Sequence, residues 1–288
     1  MTDEPGTFQR GKEGVRVTPD PGGGEVAASR AFSGRLPREE GTTSDMIGVV
    51  KVLTLNMWGA FGPPERRPVL REAILKTEAN LLLLQEANVP DNLLDSLPYP
   101  ERFHFPEAGL AILSRFPARS HREITYRTVS PLEPYRRQAL LVELQVGTTH
   151  LWVVNTHLAW KAEDEATRLA QIEELLEKVT PLAPHLLLSG DFNASPEQAP
   201  IRRLAESGFR DLFATLNRSE LGITWDNRNP YIQSHSVRFP DRRIDYLFLH
   251  ADAFTHIHPR SCQVVCRNPE MSGLFPSDHY GVLATLDL

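Results

Sequence analysis

Six places in the sequence set a chemically able polar residue against the end of an apolar run. Asn56 lies within the apolar stretch 47–57, near its end. Gln85 and Glu86 follow 81–84, and Asn155, Thr156 and His157 follow 151–154. Gly190, Asp191, Phe192 and Asn193 follow 186–188. Asp245 lies within 244–249, and Ser277, Asp278 and His279 precede 280–286. Rigid scaffolds carry reactive groups at such positions. Each site also has an ordinary reading. Glu86 can cap a turn, His157 can be a satisfied core histidine, Asp191 and Asn193 can form Asx turns, and Asp245 can pair with Arg243. Six of them on six separate strands exceed coincidence, because a polar group beside a buried strand costs stability unless it is satisfied. Together they make chemical sense. Asn56, Glu86 and Asp278 offer the oxygen ligands that Mg²⁺ or Mn²⁺ prefers. Asp191 can orient or deprotonate a water. His157 and His279 can stabilise charge on a phosphoryl oxygen or protonate a leaving group. Asp245 can hold a histidine in one tautomer. These parts suit metal-assisted hydrolysis of a phosphate ester. No Cys/His zinc spacing is present, and His256 and His258 read as an exposed loop in preference to a metal pair.

The elements that hold these residues follow from hydrophobic period and turn chemistry. Strands are predicted over 47–57, 81–85, 109–114, 122–127, 185–189, 244–250, 261–266 and 280–286. A hairpin is predicted from 138–146 and 150–156 around Gly147, Thr148 and Thr149. Pro68 opens a helix running to about residue 78. Over 162–179 the residues Leu169, Ile172, Leu176 and Val179 fall on one helical face. Ser195 and Pro196 read as an N-cap and first helical position, with Gly208 as the stop. Hairpins argue against a purely parallel sheet, so two sheets packed together and flanked by helices are expected.

The chain has 288 residues and a net charge of −6, an acidic balance that argues against a generic DNA-coating role. Only five of its 31 cationic side chains are lysine, and the arginines bring a planar fork suited to phosphate. Two cysteines, Cys262 and Cys266, cannot build a disulfide framework, and their spacing along one strand forbids a bridge between them. No apolar run approaches the ~20 residues of a membrane span, and no secretory signal is visible. Residues 1–46 are rich in glycine, proline and scattered charge, and read as a disordered or loosely attached tail. A start at Met46 would still yield the domain, which is expected over 47–288.

On these residues the chain resembles the endonuclease/exonuclease/phosphatase superfamily, in its histidine-containing branch. The matching strings are TLNMW at 54–58, LLLQE at 82–86, GLAILSR at 109–115, NTHL at 155–158, GDFNASP at 190–196, TW at 224–225, RRIDYLF at 242–248 and SDHYGV at 277–282. Each is weak alone, and their order is the strong signal. The resemblance implies a four-layer α/β sandwich, with two mainly antiparallel β-sheets packed face to face and flanked by helices. It implies that Glu86 is the principal Mg²⁺ ligand with Asn56 beside it, and that Asp278 serves the same or a second metal position. Asp191 would activate the attacking water, and Asn193 would bind phosphate or water. Asp245 would pair with His279 at the scissile phosphate, and His157 would stabilise the transition state from the other side. Arg137 is the loosest match, to a phosphate-contacting arginine, with an ordinary surface arginine as the alternative.

The stretch 225–243 is the most distinctive, mixing aromatics with arginines between two of these strings. Trp225, Asn227 and Arg238 are taken as substrate contacts, because aromatics stack on bases and arginines grip phosphate. A polar loop packed on the core is the alternative. Trp58 and Trp160 can wall the same cleft. The expected activity is a Mg²⁺-dependent (or Mn²⁺-dependent) phosphodiesterase of nuclease type. Its expected partner is a nucleic acid or nucleotide-like phosphodiester in preference to a lipid, and the expected state is a cytoplasmic monomer. The alternatives are a sphingomyelinase-like phospholipid phosphodiesterase, an inositol or sugar phosphate phosphatase, and a catalytically dead binding module.

Overall fold

A computed structural model describes residues 48–183, 185–269 and 273–288. The expectations for residues 1–46 lie outside the described residues. Twelve strands occur in chain order: β1 (Val49–Asn56), β2 (Leu81–Gln85), β3 (Glu101–Phe105), β4 (Leu110–Ser114), β5 (Ala118–Thr125) and β6 (Gln138–Val146). They continue with β7 (Thr149–His157), β8 (Leu186–Asp191), β9 (Phe209–Asp211), β10 (Asp245–His250), β11 (His258–Val265) and β12 (Gly281–Asp287). The helices are α1 (Arg66–Lys76), α2 (Glu165–Val179), α3 (Ala199–Glu206) and α4 (Leu212–Leu216).

The strands form two six-stranded sheets, ordered β11-β12-β1-β2-β4-β3 and β5-β6-β7-β8-β10-β9. Each sheet has one parallel pair, β1/β2 and β7/β8, bridged by α1 and α2 respectively. All other pairs are antiparallel. Strand alternation makes the layers. Val52 of β1 joins Leu83, Ile112, Val142, Val153, Leu187 and Leu247 in the core between the sheets. Its neighbours Leu53 and Leu55 face the other way and pack with Leu70 and Ile74 of α1. On the far side, Ile172, Leu175, Leu176 and Val179 of α2 pack on Leu141, Val154, Leu186 and Leu188. The result is the four-layer sandwich expected, helix on sheet on sheet on helix. Cys262 and Cys266 form no disulfide among the described residues, and no helix among the described residues is long and apolar enough to cross a membrane.

Local differences from the predicted elements have physical reasons. The helix expected at Ser195-Pro196 starts instead at Ala199, with Pro200 in its first turn. The Ser195 N–H donates to Gln198 Oε1 at 2.8 Å, so this stretch is a turn closed by a glutamine. α2 is preceded by a 3₁₀ turn at Ala162–Asp164, so the regular helix begins later than its acidic run suggests. β3 has a mixed, half-exposed pattern at a sheet edge, and β9 has only three residues, so neither carries a period.

One backbone position constrains the sandwich beneath the polar strand ends. Gly190 of β8 sits at φ +147°, and a Cβ there would press into the Thr156 carbonyl of β7, well inside van der Waals contact. The neighbour is backbone and cannot yield. Gly190→Ala should therefore destabilise the chain by about 3 kcal/mol or more, read from urea unfolding; a change under about 1 kcal/mol would contradict this close approach.

Candidate active site

Strand register assembles the site. His157 ends β7 opposite Asp191 of β8, and Asp245 begins β10 opposite the same Asp191, so three ionisable residues stand abreast at one end of three neighbouring strands. In the other sheet Asn56 pairs with Gln85, which sets Glu86 one residue beyond β2. Glu86 and Asn193 turn out of their strands with φ of +47° and +49°. Left-handed backbone in a residue bearing a side chain is uncommon and concentrates at functional sites.

Asp191 is the hub. Its Oδ1 accepts the Asn193 N–H at 2.9 Å. Its Oδ2 accepts the Asn56 amide at 3.0 Å, and lies 3.4 Å from His157 Nε2 and 3.8 Å from His279 Nε2. The same Asn56 nitrogen donates to Glu86 Oε1 at 3.0 Å, while Asn56 Oδ1 accepts the Trp58 N–H at 3.0 Å. That last bond orients the amide, so Asn56 presents its nitrogen, not its oxygen, to the carboxylates. His279 Nδ1 donates to Asp245 Oδ2 at 3.0 Å. Asp245 is acceptor-only when ionised, so the proton resides on Nδ1. Asp278 is held by His235 Nε2 at 2.9 Å and by the Ser277 hydroxyl at 3.2 Å.

The environment drives these groups apart in protonation. Burial lowers His279, but the carboxylates of Asp245, Asp191 and Asp278 outweigh it and hold the imidazole at about 10. His157 lies well below the usual histidine range, through burial and then the charges of Arg137 and His279. Burial and the neighbouring Asp245 raise Asp191 to about 7. Glu86 is raised by burial and by Asp278, with the Asn56 amide pulling the other way. One histidine is thus charged and the other neutral, on two sides of one carboxylate.

Two groupings bear on a metal. Asp191, Asp245 and His279 bring possible ligand atoms within 4.8 Å of one another. There the charged His279 already supplies a cation between two carboxylates. At Glu86, burial and then the neighbouring Asp278 carboxylate both raise the cost of its charge. Two carboxylates lining one cavity are a donor set that a hard divalent ion fits.

These side chains open into a cavity of about 710 Å³. Glu86, His157, Asp191, Asn193, Asp278 and His279 line it, with Arg137 and Trp225 in its walls. Asn56 and Asp245 lie directly behind, fully buried. Arg137 is buried and bound to Glu133 at 2.8 Å, and Glu133 also accepts the Trp160 N–H at 2.6 Å. Trp225 sets its ring edge-on to His279, centroids 5.0 Å apart. Trp58 and Trp160 do line the cavity. Asn227 and Arg238 are not brought to it. Asn227 ties Phe239 O and Asp241, and Arg238 donates to the Ile232 and Gln233 carbonyls, so both fasten their own loop.

Sequence reasoning passed over three residues here. His235 and Arg242 belong to the aromatic–arginine stretch, but which members of it reach the cavity depends on the loop's fold. Arg66 carries no sequence signal at all. It begins α1 fully buried, and its guanidinium donates to the carbonyls of Phe61, Met57, Pro276, Trp58 and Gly59 at 2.8–3.1 Å. It thereby staples the loop after Asn56 to the loop before Asp278.

The fold and this constellation belong to a class of phosphoric ester hydrolases: the chain is a member of the Endonuclease/Exonuclease/phosphatase family, whose model matches residues 53–279. Among curated proteins it is similar to tyrosyl-DNA phosphodiesterase 2 of Mus musculus, 27% identical over 53% of this chain and 41% of that protein. The Homo sapiens protein of the same name is 27% identical over 55% and 44%. The chain thus spans less than half the length of these relatives. Solved structures show the same fold. Truncated TDP2 of Caenorhabditis elegans has a TM-score of 0.67 at 22% identity, covering 83% of this chain and 98% of that one. TDP2 of D. rerio complexed with single-strand DNA product has a TM-score of 0.68 at 18% identity, covering 83% and 99%. The human Nocturnin catalytic domain with bound sulfate has a TM-score of 0.65 at 21% identity, covering 83% and 94%.

Two measurements check the site's construction. Imidazole NMR should find His279 still protonated above neutral pH and His157 neutral throughout, with Asp245→Asn lowering the His279 value. Titration of both near the ordinary value of about 6.5 would contradict the pairing. Arg66→Leu strands five carbonyls and should cost about 3 kcal/mol or more in urea unfolding; a near-neutral change would show that the staple is dispensable.

Proposed function

We propose that this chain is a divalent-metal-dependent phosphodiesterase that hydrolyses a nucleic-acid or nucleotide-like ester by in-line attack of water. The observation that carries this reading is Asp191 flanked by a neutral His157 and a charged His279, facing a second pair of carboxylates across one cavity. Groups pushed to opposite protonation states at one centre are what acid–base work requires. The similarity to proteins named tyrosyl-DNA phosphodiesterase 2, one of them crystallised with a single-strand DNA product, supports a nucleic-acid substrate.

Asp191, oriented by Asn56 and Asn193, positions the attacking water and accepts its proton. The new P–O bond forms as the ester P–O bond breaks. His279, kept cationic by Asp245, donates to a phosphoryl oxygen and offsets the charge growing there. His157 hydrogen-bonds the phosphoryl group from the other side. Asn193 and Arg137 border the same position. Glu86 and Asp278 would hold Mg²⁺, with Mn²⁺ as a substitute, and the ion would act as a Lewis acid on the phosphoryl group. Asn56 acts as the donor that spaces Glu86 from Asp191, a role set by its amide orientation.

Asp191→Asn and His279→Ala should each lower turnover by about 10²–10⁴-fold with unchanged circular dichroism. The assay runs with Mg²⁺ and Mn²⁺ on single-stranded DNA, duplex DNA, RNA, a 5′-tyrosyl oligonucleotide, sphingomyelin and inositol phosphates. Near wild-type rates in both variants overturn the mechanism. Hydrolysis confined to sphingomyelin or to inositol phosphates overturns the substrate class.

A further inference from the structure

Among the described residues, one cation in the cavity wall, Arg242, has no counterpart. Each buried arginine near the site keeps a partner: Arg66 five carbonyls, Arg168 the Ala159 and Lys161 carbonyls, Arg137 Glu133 and Arg243 Asp211, although the Nε atoms of Arg168 and Arg243 lack acceptors. Arg242 differs. Its backbone is locked to Trp225 by paired hydrogen bonds of 2.9 and 3.0 Å, so its place in the wall is fixed. Its guanidinium lies 3.7 Å over the Phe239 ring and 5.8 Å from that of Trp225. Among the described residues that guanidinium has neither a hydrogen bond nor an ion pair, and its Nε is shut away from solvent without an acceptor. The indole Nε1 of Trp225, also buried, lacks an acceptor too. Burial draws Arg242 down to about 10, against the attraction of Asp191, so it remains charged at neutral pH.

A charge drawn out of water with no partner is costly to hold. Stacking on one ring returns part of that cost and leaves the nitrogens at the edge of the fork. An anion entering the cavity would complete the arrangement. His279 and His157 take the phosphate that reacts, so Arg242 is free for a different one. We propose that Arg242, seated between Phe239 and Trp225, binds a second phosphate beside the scissile one, so that the site takes substrates carrying at least two neighbouring phosphate groups. This rests on the phosphodiesterase reading above. The second phosphate has two possible sources, the next internucleotide linkage of an oligonucleotide or the adjacent phosphate of a nucleoside polyphosphate.

The test compares three substrates of the full chain: the p-nitrophenyl ester of thymidine 5′-phosphate, the same ester extended by one internucleotide phosphate, and a dinucleoside diphosphate. The wild type should favour a two-phosphate substrate, and Arg242→Gln should reduce that kcat/KM ratio about tenfold or more, the scale of one charge-assisted contact. Arg242→Lys should restore part of it, and Phe239→Leu, which removes the stacking platform, should lower it. Whichever two-phosphate substrate loses its advantage identifies the source. An unchanged ratio in Arg242→Gln overturns the proposal while leaving the phosphodiesterase reading intact. If the wild type cleaves none of the three, that reading fails, and binding decides the proposal alone. Binding of both two-phosphate probes to Asp191→Asn should weaken about tenfold on adding Arg242→Gln, and equal affinity overturns it.

Discussion

A single side-chain amide spans the gap between the two sheets at the end where the chemistry lies. Asn56 ends β1, yet it donates to Glu86 of its own sheet and to Asp191 of the other. Its oxygen is taken by the Trp58 N–H, so the amide cannot turn over. One layer below, Gln85 donates to Asn155 at 2.6 Å, and Asn155 donates back to the Leu84 and Ala111 carbonyls. This polar column crosses a core built mainly of leucine, valine and isoleucine. Apolar residues there would let the sheets close by packing alone. The amides instead impose a separation and a register, and they leave the carboxylates neither fused nor free.

Charge is arranged around that column in sequence. Asp245 supports His279, which faces Asp191, which meets Asn56, which meets Glu86, near Asp278 and its partner His235. Positive and neutral donors alternate with carboxylates from Asp245 to Glu86, where Asp278 follows as a second carboxylate backed by His235. In a low-dielectric setting such alternation lets several ionisable groups stay buried, because each has a partner. The backbone contributes as well. Arg66 gathers the carbonyls of both loops that frame the column, so the cavity floor is held from outside the chemistry.

Much of this was legible in the sequence because two signals coincide: apolar runs that form strands, and polar residues placed at their ends. Asp191, Asp245 and His157 stand abreast since strand register sets the ends of β7 and β8 beside the start of antiparallel β10. Asn56 was recognised as part of the site but its orientation was not, since that depends on the backbone of Trp58 two residues on. Asn227 and Arg238 have the composition of substrate contacts, yet loop closure consumes their hydrogen bonds. Arg242 sits four residues from Arg238, and among the described residues its guanidinium makes no hydrogen bond. Nothing in local sequence separates those two arginines; the difference is which carbonyls the folded loop brings near. The short β9 and the edge strand β3 escaped notice because they lack a buried face long enough to show a period.

The pairing of β1 with β12 carries a consequence for time. Val49 to Thr54 lie against residues 282–287, and the Ser277 hydroxyl binds the Asn56 carbonyl. Asp278 and His279 are therefore delivered only when a strand near one end of the domain closes on a strand near the other. Contacts this distant along the chain form late and slowly. A nascent chain emerging from the ribosome would already hold Asn56, Glu86, His157 and Asp191 while still lacking both the carboxylate opposite Glu86 and the charged histidine. The site is complete only once the strands at the two ends of the domain have paired.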